Sequence, residues 1–162
     1  MPNKVPQEFS PRTYLLGNIP ALDVLKLADN EGDTSKTRNF ALLFAASGDL
    51  RNVIKTLLGL PQQYQGKCSV VLNDRDFQVV TRNAIMLLAA LHLNTNIAVP
   101  LIIHTWYSAF IPAVMLQVLQ SEILPLITDV CSKIRNKASG SLQAKTFTIR
   151  GRILRFVFTK EQ

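Results

Sequence analysis

The first half of the chain contains two continuous apolar runs, each followed by apolar positions at helical spacing. The first run, Asn39–Ala46, ends at a turn around Gly48, and helical spacing then extends from Leu50 to Leu58. An unbroken apolar run of this length predicts a strand covered on both faces. The change to helical spacing predicts that an amphipathic helix follows the turn.

The second apolar run, Cys68–Leu72, repeats this arrangement. It ends at Asn73 and Asp74, and apolar positions from Phe77 to Leu91 then mark one face of a second helix. Strands that alternate with helices are typical of α/β proteins with parallel strands. The sequence therefore predicts an α/β fold built on one βαβ unit.

The segments on either side of this unit have weaker patterns. Residues 1–13 contain three prolines and no periodicity, which predicts an extended segment before a single domain over residues 14–162. Pro20 suits the first turn of a short helix over Ala21–Ala28. The polar stretch Asp29–Arg38 predicts a surface loop.

The second half of the chain predicts helices and then a hairpin. Helical segments reach about Asn136, with interruptions near Pro112 and Pro125. Two short apolar segments, Thr146–Ile149 and Ile153–Phe158, flank an Arg-Gly-Arg turn and predict a β-hairpin.

A glycine turn after one strand and an acid after the next is the layout of nucleotide-binding α/β folds. Gly48 would let a ligand approach the backbone, and Asp74 would accept hydrogen bonds from ribose hydroxyls. Ala46 and Asp49 stand where a binding loop favours glycine, and Asp49 would repel phosphate. This disfavours a dinucleotide but leaves S-adenosylmethionine open. Alternatively, Asp49 and Asp74 only cap the helices that follow them.

Several motifs resemble a domain of unknown function found at the N-terminus of axonemal dynein assembly factor 3 and in fungal proteins that often carry a MYND-type zinc finger. The strings are LLFAASGDLRNVIKTL, LNDRDFQVVTRNAIMLLAAL, GNIPA, WYSAF and the C-terminal GSLQAKTFTIRGRILRFVFTKEQ. The matching residues of the first two motifs are Gly48, Asp49, Leu50, Arg51 and Asn52, followed by Asn73, Asp74, Arg82 and Asn83.

The resemblance implies a methyltransferase-like, Rossmann-type fold without an established enzymatic role. Family members tend to have Gly-Cys at the positions of Ala46 and Ser47, and they usually continue beyond the TKEQ at which this chain stops. We therefore expect an incomplete sheet and a truncated domain. The resemblance favours a non-catalytic domain acting in protein interaction or complex assembly. The alternative is an S-adenosylmethionine-dependent methyltransferase that uses Gly48, Asp49, Asn73 and Asp74.

No charged side chain occurs between Asn83 and Ser121. Within this stretch, Ile97–Leu116 is long enough to cross a bilayer. However, it contains Pro100 and Pro112 and lacks a basic cluster on one flank. We therefore predict two buried helices rather than a membrane span.

The net charge of +7 comes from one end of the chain. Residues 132–162 contain eight basic side chains and only one acid, Glu161, whereas the rest of the chain is balanced. This basic segment is a second alternative, a nucleic-acid-binding surface, although it lacks the interleaved aromatics of a single-strand binder. Its counter-charges could equally belong to a missing C-terminal region.

Other reactive side chains predict packing rather than chemistry. His92 and His104 do not have the spacing of paired metal ligands, and Cys68 and Cys131 belong to no CxxC pair. With no signal peptide, we expect a cytoplasmic protein with reduced thiols, and a nuclear one is also open.

Five polar or aromatic side chains are further candidates for a ligand or interaction site. Trp106 and Tyr107 either belong to the core or rim a pocket. Arg51, Arg82 and Asn83 either bind a ligand or tie the loops together through Asp49 and Asp74.

Overall fold

A computed structural model describes residues 16–30 and 36–159 of the chain. The fold is mixed α/β, with one parallel strand pair and one antiparallel hairpin. The chain divides into two compact units, one ending at Asn83 and the other beginning at Ala84. The predicted extended segment 1–13 lies outside the described residues, and the single domain over residues 14–162 stays a prediction.

The first unit contains the predicted strand–helix–strand–helix order. Its elements are α1 (Leu27–Asn30), β1 (Phe40–Ala45), α2 (Arg51–Leu58), β2 (Cys68–Asn73) and the start of α3 (Phe77–His92). The two strands pair in parallel from Phe40 opposite Cys68 to Ala45 opposite Asn73. The predicted parallel pair is therefore confirmed.

The prediction that these strands are covered on both faces is wrong. Burial alternates along both strands, and the side chain of Leu43 is 66% exposed. Val71 is exposed in the neighbouring strand. Within the described residues only one face of the pair is covered, so these apolar runs belong to half-buried strands.

The prediction of a helix over Ala21–Ala28 is also wrong. The backbone N–H groups of Leu25 and Lys26 donate to Asp23 Oδ1, and Lys26 has a φ of 44°. A side-chain acceptor this close competes with helical hydrogen bonds, so within Ala21–Ala28 only Leu27 and Ala28 are helical. In the predicted loop Asp29–Arg38, Asp29 and Asn30 instead belong to α1, and 31–35 lie outside the described residues.

The second unit contains the rest of α3 and the elements that follow. These are α4 (Thr95–Tyr107), α5 (Ala113–Val118), a π-helical turn (Leu119–Ile123), α6 (Leu124–Arg135), β3 (Leu142–Ile149) and β4 (Arg152–Thr159). Its hydrophobic core joins the helices to the inner face of the hairpin, including Phe147 and Phe156. The buried members of this core are Leu88, Ala89, Leu93, Ala98, Leu101 and Ile123.

The expectation of two buried helices in the uncharged stretch is met only in part. Ala98 and Leu101 are buried on α4, but Phe110 in the following loop is 88% exposed. Tyr107 and Val114 are also exposed. An apolar sequence therefore does not give two fully buried helices here.

The two prolines have different effects on these helices. Pro112 stands at the N-cap of α5, so the predicted interruption is confirmed there. Pro125 lies in the first turn of α6 and does not end the helix, because a π-helical turn joins α5 to α6. In that turn the Leu124 N–H reaches back five residues to the Leu119 carbonyl.

The end of α4 at Tyr107 also divides the stretch Ile97–Leu116, which has the length of a membrane span. Among the described residues, one helical stretch, Ala113–Arg135, is long and apolar enough to cross a membrane by length and composition alone. A single stretch of this kind is a weak indication of a span.

The predicted hairpin is confirmed and is longer than expected. Antiparallel pairing runs from Leu142 opposite Thr159 to Ile149 opposite Arg152. The two turn residues, Arg150 and Gly151, both have positive φ angles, 51° and 74°. This is the type I′ geometry that matches the twist of a two-residue hairpin, and glycine suits its second position.

Removing a buried leucine should destabilise the second unit. Leu101 is 1% exposed, so Leu101→Ala should lower the free energy of unfolding by about 2–5 kcal/mol through lost contacts and a cavity. The matched control is Leu142→Ala, whose leucine is 70% exposed and which should change stability by about 0.5 kcal/mol or less. Urea denaturation measures both, and equal losses would contradict this assignment of the core.

Candidate functional site

The parallel register brings two loops together at one edge of the β1–β2 pair. Because Ala45 lies opposite Asn73, the loops that leave both strands start side by side. The Ser47 N–H donates to the Asn73 carbonyl at 2.9 Å, which extends the strand pairing into the loops. We call residues 46–49 and 73–76 the loop cluster.

The centre of the loop cluster is a hydrogen bond between the two residues singled out in the sequence. The Gly48 N–H donates to Asp74 Oδ2 at 2.9 Å, and Asp74 Oδ1 accepts from the Asp76 N–H at 2.9 Å. Gly48 has a φ of 58°, a conformation that favours glycine. The carboxylate expected to meet a ribose therefore binds the glycine expected to meet the ligand.

Asp49 is bonded to the chain on both oxygens. Its carboxylate is almost fully buried, with Oδ2 accepting from the Gly17 N–H at 2.8 Å. Arg51 donates its backbone N–H to Oδ1 and places its Nε 3.3 Å from the same atom. A buried charge needs such partners, since burial without them is costly.

The capping role predicted for Asp74 is wrong, whereas Asp49 does accept, on Oδ1, the backbone N–H of Arg51 at the start of α2. Leu50 stands at the N-cap of α2 and makes no side-chain cap bond. At the start of α3, Asp76 rather than Asp74 accepts hydrogen bonds from the Gln78 and Val79 N–H groups. Both carboxylates also join separate segments, since Asp49 accepts from the Gly17 N–H and Asp74 accepts from the Gly48 N–H.

Asn83 closes the cluster from α3. This side chain is 3% exposed and donates from Nδ2 to the Gly48 carbonyl at 2.7 Å, while its Oδ1 has no hydrogen-bond partner among the described residues. Arg82, the preceding residue, lies half-buried on the same helix. Of the two roles predicted for the polar residues here, tying loops together fits Arg51 and Asn83.

The sequence analysis missed a second set of bonds, between α2 and residues 17–24. The Leu22 N–H donates to Asn52 Oδ1 at 2.9 Å, and the Val24 N–H donates to Thr56 Oγ1 at 3.1 Å. Thr56 is buried and donates to the Asn52 carbonyl at 2.7 Å. The signal was a threonine among apolar residues on the helix, where a buried hydroxyl requires a partner.

An open hollow of about 400 Å³ lies beside the loop cluster, lined by residues 16–19, 46–49, 51 and 52. This volume falls in the range of small-molecule sites. The polar groups expected to hold a cofactor, the Gly48 N–H and the carboxylates of Asp49 and Asp74, already make hydrogen bonds within the chain. A ligand entering this hollow would therefore compete with those bonds.

The family of the chain follows from its sequence match. Residues 15–111, more than half of the chain, match the family model described as a domain of unknown function, DUF4470. The chain belongs to this family. The DUF4470 match spans the loop cluster as well as Trp106 and Tyr107. No curated protein matches the chain, and no solved structure does either.

The candidate aromatic pair belongs to the second unit. Trp106 and Tyr107 stack with ring centroids 5.3 Å apart, and Tyr107 is largely exposed. Trp106 is half-buried, and its buried indole Nε1 has no hydrogen-bond partner in the part of the chain that the structure describes. Nearby on the same helix, His104 Nδ1 lies 2.9 Å from Ser108 Oγ.

A second open cleft, of about 320 Å³, lies around His92 in the second unit. Its walls include Glu122, whose Oε2 is 3.6 Å from His92 Nε2, and Arg150, which donates to the His92 carbonyl and to Asn94. The fold thus gives this histidine an acidic neighbour that the sequence did not indicate. Among the described residues, no group of three or more His, Cys, Asp or Glu side chains is arranged to hold a metal.

The two cysteines differ in environment. Cys68 opens β2 and is half-buried, and burial raises the pKa of its thiol. Cys131 is exposed on α6. Both thiols are free.

Removing the Asp74 carboxylate should loosen the loop cluster. Asp74→Ala leaves the Gly48 and Asp76 N–H groups without their acceptor, so we expect a loss of about 1–3 kcal/mol in unfolding free energy. Amide hydrogen exchange at Gly48 should accelerate. Asp29→Ala, at an exposed position, is the control and should change neither measurement. Unchanged Gly48 exchange in Asp74→Ala would contradict the role assigned to the carboxylate.

The thiols should differ in alkylation rate. At pH 7.5, iodoacetamide should modify Cys131 faster than Cys68. Burial limits the access of the reagent to Cys68, and the raised pKa of that thiol lowers the fraction present as reactive thiolate. Mass spectrometry of timed samples measures each site, and Cys131→Ser allows the Cys68 rate to be followed alone. A faster reaction at Cys68 would contradict the placement of that residue.

Proposed function

We propose that this chain is a non-catalytic, methyltransferase-like domain that acts in protein interaction or complex assembly. The observation that carries the proposal is the hydrogen bond between Gly48 and Asp74. In a Rossmann-type cofactor site both groups face the ligand. Here they face each other, so the Gly48 N–H is already satisfied within the chain and a cofactor would have to share the Asp74 carboxylate with it.

Exposed apolar surface supports the interaction role. Leu43 and Val71 lie on the open face of the parallel pair, and Phe110 and Val114 are exposed in the second unit. Large exposed apolar patches on soluble proteins mark interaction sites. A partner that covers such residues would remove them from water, which favours association.

The more specific parts of the proposal rest on the sequence motifs. The likeness to the N-terminal region of axonemal dynein assembly factor 3 and to fungal MYND-finger-associated proteins supports a role in assembly. The βαβ order and the loop cluster are compatible with a Rossmann-like sheet. A cytoplasmic location stays a prediction from the sequence.

A titration with S-adenosylmethionine separates this proposal from the methyltransferase alternative. Because Gly48 and Asp74 are bonded to each other, isothermal calorimetry of the full chain should give no binding heat at protein concentrations of tens of micromolar. Asp74→Ala and the control Asp29→Ala should give none either. Micromolar binding to the unchanged chain that Asp74→Ala abolishes and Asp29→Ala preserves would overturn the proposal.

A further inference from the structure

The backbone edge of β4 that faces away from β3 is not covered by another strand in the described part of the chain. Among the residues that the structure describes, β4 pairs with β3 alone. Its eight residues contain no proline or glycine, and the pairing has no bulge along its length. In an antiparallel pair, alternate backbone N–H and C=O groups of each strand point away from the partner strand. Such an edge is a template for a further strand.

The charge of the hairpin is entirely basic. Residues 142–159 contain four basic side chains and no acid. Lys145 forms an ion pair with Asp129, and Arg150 donates to the His92 carbonyl and to Asn94. Arg152 and Arg155, both on β4, are exposed and have no ion-pair or hydrogen-bond partner among residues 16–30 and 36–159. Two cations on one open strand favour an acidic partner.

The outer face of β4 carries apolar side chains on both sides of a basic one. Ile153, Arg155 and Val157 point to the same side, because side chains two residues apart share a face of a strand. Ile153 is 72% exposed and Val157 is 56% exposed, so both are available for contact. The face therefore presents an apolar, a basic and an apolar side chain in succession.

We propose that β4 binds an extended protein segment that pairs with its open edge and carries an acidic residue between two apolar residues. Main-chain hydrogen bonds to the edge would hold the added strand. The acidic side chain would lie beside Arg155, and its apolar neighbours would lie beside Ile153 and Val157. This inference rests on the proposed role in protein interaction and names the surface and the class of partner.

A short peptide tests the inference on the full chain. The probe is a fluorescein-labelled peptide, Thr-Val-Thr-Glu-Thr-Val-Thr, whose valine–glutamate–valine face reads the same in either strand direction. Fluorescence anisotropy should show saturable binding. Replacing glutamate by lysine in the peptide should weaken binding at least tenfold, and so should Arg155→Glu in the protein. Arg155→Glu should in turn bind the lysine peptide better than the glutamate peptide.

Three controls make the result decisive. Lys55→Glu reverses an exposed cation on α2 of the first unit and should leave peptide binding unchanged, while circular dichroism checks that both variants keep their fold. A peptide with a fully N-methylated backbone keeps its side chains but donates no main-chain hydrogen bonds, so it should not bind. An eight-nucleotide single-stranded DNA should not displace the glutamate peptide.

If the peptide does bind, three outcomes would still overturn the inference. They are equal binding of the N-methylated peptide, binding unaffected by Arg155→Glu, and displacement by DNA that depends on Arg155, which would assign the surface to nucleic acid. If neither the peptide nor S-adenosylmethionine binds, this inference is overturned and the proposed function is not. Binding of S-adenosylmethionine would overturn the proposed function whatever the peptide does.

Discussion

The first unit depends on the hydrogen bond between the Asp74 carboxylate and the Gly48 N–H. It joins the loop that follows β1 to the loop that follows β2, and Asn83 then joins α3 to the same glycine through its carbonyl. Gly48 therefore donates and accepts within a few ångströms, and any residue with a side chain would be strained at its φ of 58°. The glycine allows the two loops and α3 to be joined by hydrogen bonds, and this role requires only one glycine in the turn.

The order of strands and helices could be predicted from the sequence because each change of period is sharp. Apolar residues are continuous up to Ala46 and then follow helical spacing from Leu50, and the structure places β1 and α2 there. Coverage of the strands could not be predicted, because an apolar run does not show whether one face or both are packed. Leu43 is apolar and yet exposed.

The residues of the candidate site could be predicted from the sequence, but their hydrogen-bond partners could be predicted less well. Gly48, Asp49 and Asp74 do lie together, since parallel strands bring their ends to one edge. Their partners come from distant sequence, as with the Gly17 N–H on Asp49. No periodic pattern marks that segment, and the local acceptor Asp23 prevents the helix that was predicted to follow Pro20. His92 and Glu122 likewise meet only in the fold.

The π-helical turn before Pro125 changes the direction in which the following side chains of the long helical stretch point. Four of its core residues, Met115, Leu119, Ile123 and Ile127, recur at every fourth position. In a regular α-helix four residues rotate by about 400°, so each would lie about 40° further round than the one before. A wider turn at Leu119–Ile123 takes up part of this rotation. The proline's missing amide hydrogen is thus accommodated where the helix already has to unwind to keep these four side chains on one side.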